Sequence, residues 1–406
     1  MRYNPRFAID GALKPMGATK NIDALHEQMI GWRRDIHMHP ETAFEEVRTA
    51  KIVADKLKAW GYQVTEGIAK TGVVATLKVG TSNRSIALRA DMDALNVLET
   101  NNFGHASTVK GKMHACGHDG HTTMLLGAAQ VLAETRNFDG TVHLIFQPAE
   151  EGLGGGKAMV KEGLFERFPA ETVWGMHNMP GFPSGHFAVR KGAMMAGSDR
   201  LDITVRGVGG HAAFPHKTVD PVVTAAAIVT ALQTIASRTL DPLEQVVISV
   251  TQIHAGDAYN VIPEEVVMCG SVRTFKPQVQ AKVIEAIERI ATNVAAAHGA
   301  IAEVTYTKGY PPTVNSDKET EIAVEVARQV VGPERVRSDV TPIMGSEDFS
   351  YMLLEKPGCY IMLGNGAGDE RGACMCHNPG YDFNDDILPT GVKYWQALVE
   401  SQLPKR

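Results

Sequence analysis

Two apolar runs in this chain end in acid. SIALRADMDAL (85–95) and GTVHLIFQPAEE (140–151) each carry a short aliphatic block that closes on two carboxylates, Asp91 with Asp93 and Glu150 with Glu151. A stretch of small and apolar residues with helical character, 122–135, separates them. Continuous apolar blocks divided by helices suit parallel strands buried on both faces, not the alternating pattern of a half-exposed sheet. Such sheets gather ligands in loops beyond the carboxyl ends of their strands. Both acidic pairs fall at those ends.

The flanking sequence keeps the alternation. Amphipathic helices are expected at 22–38 (Ile22, Leu25, Met29, Ile30) and 47–60 (Val47, Ile52, Val53, Leu57), and a strand at 71–80, TGVVATLKVG. A helix at 318–331 and a strand at 358–364 resume the pattern near the end. Between them the order changes. DRLDITVRG reads as a strand, and 219–237 as a helix with Pro221 near its first turn, where its missing N–H costs nothing. Two strands follow, QVVISVTQIHAG and EVVMCGSVRTF, then a helix over 276–299 and a last strand, AIAEVTYTKG. That βαββαβ order is a ferredoxin-like split unit. The fold class expected is α/β: a doubly wound catalytic domain made of 1–196 and 310–406, with a satellite domain, 197–309, inserted. At 406 residues the chain exceeds what one hydrophobic core ordinarily serves.

Bulk properties narrow the function. Hydrophobic residues make up 44% and charged residues 21%, values of a soluble globular protein. A net charge of -6 gives no electrostatic reason to expect nucleic acid or an anionic membrane as partner. Residues 1–21 have no apolar core of the kind a leader needs, and no run of consecutive apolar residues is long enough to span a bilayer. Five scattered cysteines, an odd count, argue against a disulfide framework. A cytoplasmic protein with reduced thiols is expected, so a cysteine is free to act as a thiolate ligand.

The chemistry concentrates in four places. MHACGHDGHTT (113–123) places Cys116 and His118 two apart, so an extended backbone would point both to one side. The following helix would favour the Cys116 thiolate through its dipole. His121 falls in the first helical turn and projects elsewhere, which suits a structural role. Glu150 and Glu151 close a buried run, costly unless something cationic receives them. One could hold a metal while its neighbour moves a proton. VWGMHNMPG contributes His177 and CMCHNPGYDFND contributes His377. Cys374 and Cys376 sit too close to His377 for a structural zinc knuckle and read as incidental. GLGGGK lacks the spacing of a phosphate loop, and no Gly-x-Ser-x-Gly elbow occurs. A catalytic thiol at Cys116 paired with His118 stays open at this point, though it leaves the two glutamates and two histidines unexplained.

Taken together, MHACGHDGHTTMLLGAA, QPAEEG, GMHNMPG, GGHAAFPH, NVIPEEVVMCGSVRTF, GSEDFSYM and HNPGYDFNDDILPTG resemble the amidohydrolase branch of the aminoacylase/carboxypeptidase clan of dinuclear metallopeptidases. That branch includes hippurate hydrolases, N-acyl-amino-acid amidohydrolases and hydrolases of indole-acetyl-amino acids. The resemblance runs from Trp32 to the C-terminus. It implies a zinc-exopeptidase-like catalytic domain in which Cys116, His118, Glu151, His177 and His377 hold two divalent ions, Zn2+ or Mn2+, with Co2+ and Ni2+ compatible. Glu150 would be the general base and acid, and Asp91 a supporting carboxylate. The clan's His-x-Asp ligand motif stands here as Arg89-Ala90-Asp91, without the histidine. His211, Asn260 and Arg273 would bind the substrate carboxylate or its oxyanion, and the satellite domain would make a homodimer or tetramer. The implied reaction is hydrolysis of an N-acyl-amino acid, a small-molecule substrate. A dipeptidase or N-acetyl-diaminopimelate deacetylase is the alternative, and a metal- or peptide-binding protein the non-enzymatic one.

Overall fold

The computed structural model describes residues 22–405; the stretch 1–21, read above for a leader, lies outside them. Two amphipathic helices open the described chain, α1 (Ile22–Met38) and α2 (Val47–Ala59). They bury Leu25, Met29 and Ile36, then Val53, Ala54 and Leu57. Val47, assigned to the apolar face from periodicity, is exposed because it begins its helix.

Strands β1 (Gln63–Ile68), β2 (Gly72–Val79) and β3 (Ser85–Asp91) come next, followed by α3 (His118–Thr135), β4 (Gly140–Gln147), β5 (Thr172–Pro180) and β6 (Phe187–Ala188). The two acid-tipped runs do lie side by side in parallel, with Leu88 against Leu144 and Ala90 against Phe146. Parallel pairing stops at the middle of the sheet, however. β1 and β2 form an antiparallel hairpin through a short turn, and β2 lies antiparallel beside β4, from which β3 and α3 separate it in sequence.

The inserted segment supplies β7 (Gly197–Arg206), α4 (Pro221–Thr234), β8 (Val246–Ala255), β9 (Glu265–Thr274), α5 (Pro277–Ala297) and β10 (Ile301–Tyr310). Its four strands form a separate antiparallel sheet in the order β8-β9-β7-β10. The main sheet is then completed by α6 (Asp317–Val331), β11 (Val336–Arg337), β12 (Gly358–Gly366) and the last helix α7 (Leu388–Gln402). Its order is β1-β2-β4-β3-β5-β12-β6-β11. The fold is therefore a mixed α/β sheet with an inserted ferredoxin-like unit. Each sheet has its own apolar cluster. One draws on residues such as Val74, Leu144, Trp174 and Trp395, the other on Leu201, Ile228, Val266 and Ile287.

Two sequence expectations need correction. α3 starts at His118, four residues before the stretch read as helical, because Gly and Asp in its first turn hid the periodicity. Counting consecutive apolar residues also overlooked the segment Pro221–Thr239, which is long and apolar enough to cross a membrane by length and composition, with mean hydropathy 1.3. Thr and Gln interrupt the apolar run, but its alanines, valines and isoleucines outweigh them. Only 28% of its window is buried, through Thr224, Ala225, Ile228 and Leu232 on one face.

Candidate metal centre

Gly117 determines how the first two donors are presented. Its backbone is left-handed (φ 96°), so the Cys116–His118 link is a tight turn and not the extended stretch expected from sequence. A Cβ there would stand 2.3 Å from Asn178 Oδ1 and 2.5 Å from Tyr381 Oη, so only glycine fits. His118 then opens α3, with Cys116 just outside it. His118 directs Nδ1 to Asp93 Oδ1 at 3.2 Å. That contact orients the ring and leaves Nε2 pointing the other way.

The paired glutamates sit on a turn after β4. Ala149 has a left-handed φ of 53°, and the buried Glu46 accepts its N–H at 2.9 Å. Tyr310, at the end of β10, donates to the Glu150 carbonyl at 2.7 Å and accepts from Gly154 N at 2.9 Å, closing the loop. Asp93 accepts the Glu151 N–H at 2.9 Å, so one carboxylate steadies both His118 and Glu151.

His177, on β5, hands Nδ1 to the carbonyl of Asn178 at 2.6 Å and turns Nε2 towards Cys116 Sγ, 3.5 Å away. His377 lies in a loop with a left-handed φ of 66°, its N–H bound to Ala115 O at 2.7 Å. Its Nε2 reaches Glu151 Oε1 at 3.4 Å. The five sequence candidates thus converge from four separate segments of the chain. Donor atoms of Cys116, His118 and His177 lie within 4.8 Å of one another, as do those of Cys116, Glu151 and His377, and those of His118, Glu150 and Glu151.

This donor set fits a metal. His118 Nε2 is buried without a hydrogen-bond partner, 4.0 Å from Glu151 Oε1, whose own neighbour at 3.4 Å is His377 Nε2, another candidate ligand. A buried imidazole nitrogen left unpartnered is costly, and a cation between it and the facing carboxylate would satisfy both. Thiolate, imidazole and carboxylate together are donors for zinc and neighbouring divalent ions. His121, by contrast, has both ring nitrogens engaged, Nδ1 with Asp91 at 2.6 Å and Nε2 with Asn178 Oδ1 at 2.7 Å. It holds the floor of the site and has no atom left for a metal.

The charges are arranged around Glu150. Burial and the neighbouring carboxylates of Glu347, Glu151 and Asp348 push its carboxyl well above the usual range. For Glu151, burial works upward, but the His377 hydrogen bond and the His118 charge prevail and hold it below its ordinary value. Burial, with the charge of His121, keeps His177 neutral. At Cys116 the helix dipole does not win: the hydrogen bond with Cys376 and burial push the thiol up. A thiolate there requires a bound cation.

Beneath these donors lies a layer the sequence reading missed. Arg89 is fully buried and donates to Asp91 Oδ2 at 2.7 Å, Glu347 Oε1 at 2.8 Å, Asp348 Oδ1 at 3.2 Å and Gln147 Oε1 at 2.9 Å. Asp91 in turn fixes His121 and stands 3.7 Å from His118 Nε2. Tyr360 donates to the far oxygen of Glu347. The adjacent carboxylates Glu347 and Asp348 in GSEDF were the available signal.

The donors open into a cavity of about 560 Å³ lined by Glu150, His177, Arg273, Ser346 and Glu347, with an apolar wall of Met179, Met195, Ile343, Met362 and Met375. Arg273, on β9, reaches it and donates to Ser346 Oγ at 3.1 Å. His211 and Asn260 do not line it. They are exposed at a small two-stranded ladder of Gly210–His211 with Val261–Ile262. Within one chain, sequence proximity to the motifs did not bring them to the site.

Comparison with known proteins agrees with this architecture. The sequence profile of peptidase family M20/M25/M40 matches residues 87–401. The chain is 43% identical to a hippurate hydrolase of Campylobacter jejuni, over 90% of this chain and 94% of that protein. It is 40% identical to an IAA-amino acid hydrolase of Arabidopsis thaliana, over 93% and 86%. Among solved structures, the Bacillus subtilis YXEP protein, a dinuclear metal binding peptidase, superposes with a TM-score of 0.81 at 33% identity, covering 94% of this chain and 99% of that one. Because the profile and these relatives span most of the sequence, the chain belongs to peptidase family M20/M25/M40.

Proposed function

We propose that the protein hydrolyses the amide bond of N-acyl-amino acids, releasing a carboxylic acid and a free amino acid. The observation that carries this reading is Glu150: a buried carboxylate grouped with the His118 and Glu151 donors, held at the wall of a cavity that also contains Arg273. Relatives named hippurate hydrolase, IAA-amino acid hydrolase and N-acetylcysteine deacetylase support the substrate class.

Cys116, His118, Glu151, His177 and His377 would hold two divalent ions, Zn2+ or Mn2+, which supply a Lewis acid for the scissile carbonyl and an acidified water. Glu150 takes the proton of the attacking water and returns it to the leaving nitrogen; its raised proton affinity suits both halves of that task. Asp91 acts through His121 and His118 as a positioning carboxylate. Arg273 offers a guanidinium to the substrate carboxylate, and the methionine-rich wall takes the apolar acyl group or side chain.

A homodimer, or a tetramer built from it, would form through a satellite domain spanning 197–309. The unpaired edge of β8 and the exposed apolar face of α4, with Val222 and Val223, support that surface. His211 and Asn260, outside the cavity of their own chain, would serve substrate only across such an interface. All five cysteines are unpaired, which supports a reducing, cytoplasmic setting.

Amino-acid release from a panel of N-acyl-amino acids and dipeptides, before and after chelation and metal add-back, tests the proposal. Glu150→Gln should retain its metal and lose about 10²–10⁴-fold in turnover. Turnover that survives metal removal and dies with iodoacetamide would favour a Cys116 nucleophile instead. Against that nucleophile stand a thiol pushed up by its Cys376 hydrogen bond and burial, and a His177 held neutral.

A further inference from the structure

The two cysteines of the ACMC segment before His377 have no part in the proposed hydrolysis, yet Cys376 brings a second thiol to the site. The backbone runs of 115–116 and 376–377 lie side by side, tied by the His377 N–H to Ala115 O at 2.7 Å. Cys376 Sγ lies 3.7 Å from the carbonyl oxygen of Cys116. Both thiols line the same cavity, beside Glu151 and His377. Cys376 is half-buried where Cys116 is buried, so an oxidant entering the cavity meets Cys376 more readily.

We propose that Cys116 and Cys376 are an oxidative modification site, closing to a reversible disulfide that takes a metal-ligand atom out of use. The oxidant is a small hydroperoxide such as hydrogen peroxide. The Cys376 sulfur attacks the O–O bond, giving a sulfenic acid as that bond breaks and one water leaves. The Cys116 sulfur then attacks the sulfenic sulfur; the S–S bond forms, the S–O bond breaks and a second water leaves. Two thiols are oxidised and one peroxide is reduced to two waters, with no other co-reactant. Once in the disulfide, Cys116 cannot bind a cation as thiolate, whereas a bound cation would shield it from attack. A dithiol reductant reverses the change. This consequence for metal rests on the reading of Cys116 as a ligand.

The test uses the full-length protein, stripped of metal by chelation, treated with one equivalent of hydrogen peroxide and mapped as peptides without reduction. The result expected is a Cys116–Cys376 crosslink that dithiothreitol removes. It should form in Cys374→Ser, be absent from Cys376→Ser and be suppressed when Zn2+ is loaded first. Zinc uptake by the oxidised protein should drop and return on reduction, while untreated Cys376→Ser takes up zinc as wild type does. A Cys374–Cys376 crosslink, or oxidation of Cys116 with no crosslink, overturns the modification site. A Cys116–Cys376 crosslink with undiminished zinc uptake overturns the ligand reading of Cys116 and leaves the modification standing.

Discussion

Two neighbouring clusters of buried acceptors solve the same electrostatic problem in different ways. In one, Asp91, Glu347 and Asp348 surround Arg89, and the chain supplies its own cation. In the other, His118 Nε2 has no partner, and Glu151 Oε1 facing it has only His377, another candidate ligand. The difference shows where a metal belongs. Carboxylates alone do not mark the site, since the Arg89 cluster is the richer in acid; the marker is a set of donors left unpaired. The Arg89 guanidinium stays charged at any accessible pH and so occupies the space between these carboxylates permanently.

Removing the resident cation should have the largest effect on stability. Arg89→Met leaves three buried carboxylates without their counter-charge, and denaturant unfolding of the metal-free protein should show a loss of about 3–5 kcal/mol. A loss within the error of the method would mean that the cluster is neutralised by protons and the comparison fails.

A third cluster offers a cation that pH can remove. His37 points Nδ1 at Asp119 (2.8 Å) and Nε2 at Glu99 (3.3 Å), with Arg33 nearby. Burial opposes its charge, but the bonds to Asp119 and Glu99 prevail and raise its pKa from 6.5 to about 9. A folded-state value above the unfolded one makes the stabilisation complete below pH 6.5 and lost as pH rises through about 9. Thermal unfolding should therefore show wild type losing stability over that window, on the order of 2 kcal/mol relative to its value at pH 6. His37→Gln should be flatter there. Equal slopes in the two proteins would remove His37 from the account.

The smallest effect is expected on the unpaired side. Asp93→Asn weakens the hold on both His118 and Glu151 without touching Arg89. Metal titration by calorimetry should show affinity falling about 10–100-fold, with unfolding of the metal-free protein nearly unchanged. A large loss of metal-free stability would show that the two clusters are one network.

Much of the site's chemistry was legible because it is written in residue types. Cys116 with His118 and Glu150 with Glu151 stand out as candidate donors at strand and helix ends, whereas His177 and His377 join them as ligands only through the family resemblance. Arg273, His211 and Asn260 all came from the resemblance; Arg273 reaches the cavity, while His211 and Asn260 sit at an exposed ladder outside it. Glu347 escaped because its partner, Arg89, is 258 residues away in sequence. Gly117 escaped because a left-handed turn has the same local sequence as a flexible loop.

By itself the sequence determined the periodicities, the order of strands and helices, and the inventory of donors, since each depends on residues near one another in the chain. Tertiary structure decided which strands pair antiparallel, that Cys376 lies against Cys116, and which buried acceptors already have a partner. Those outcomes depend on how distant backbones bring side chains together, and satisfaction of a buried polar atom is a property of its neighbours in space, not of its own identity.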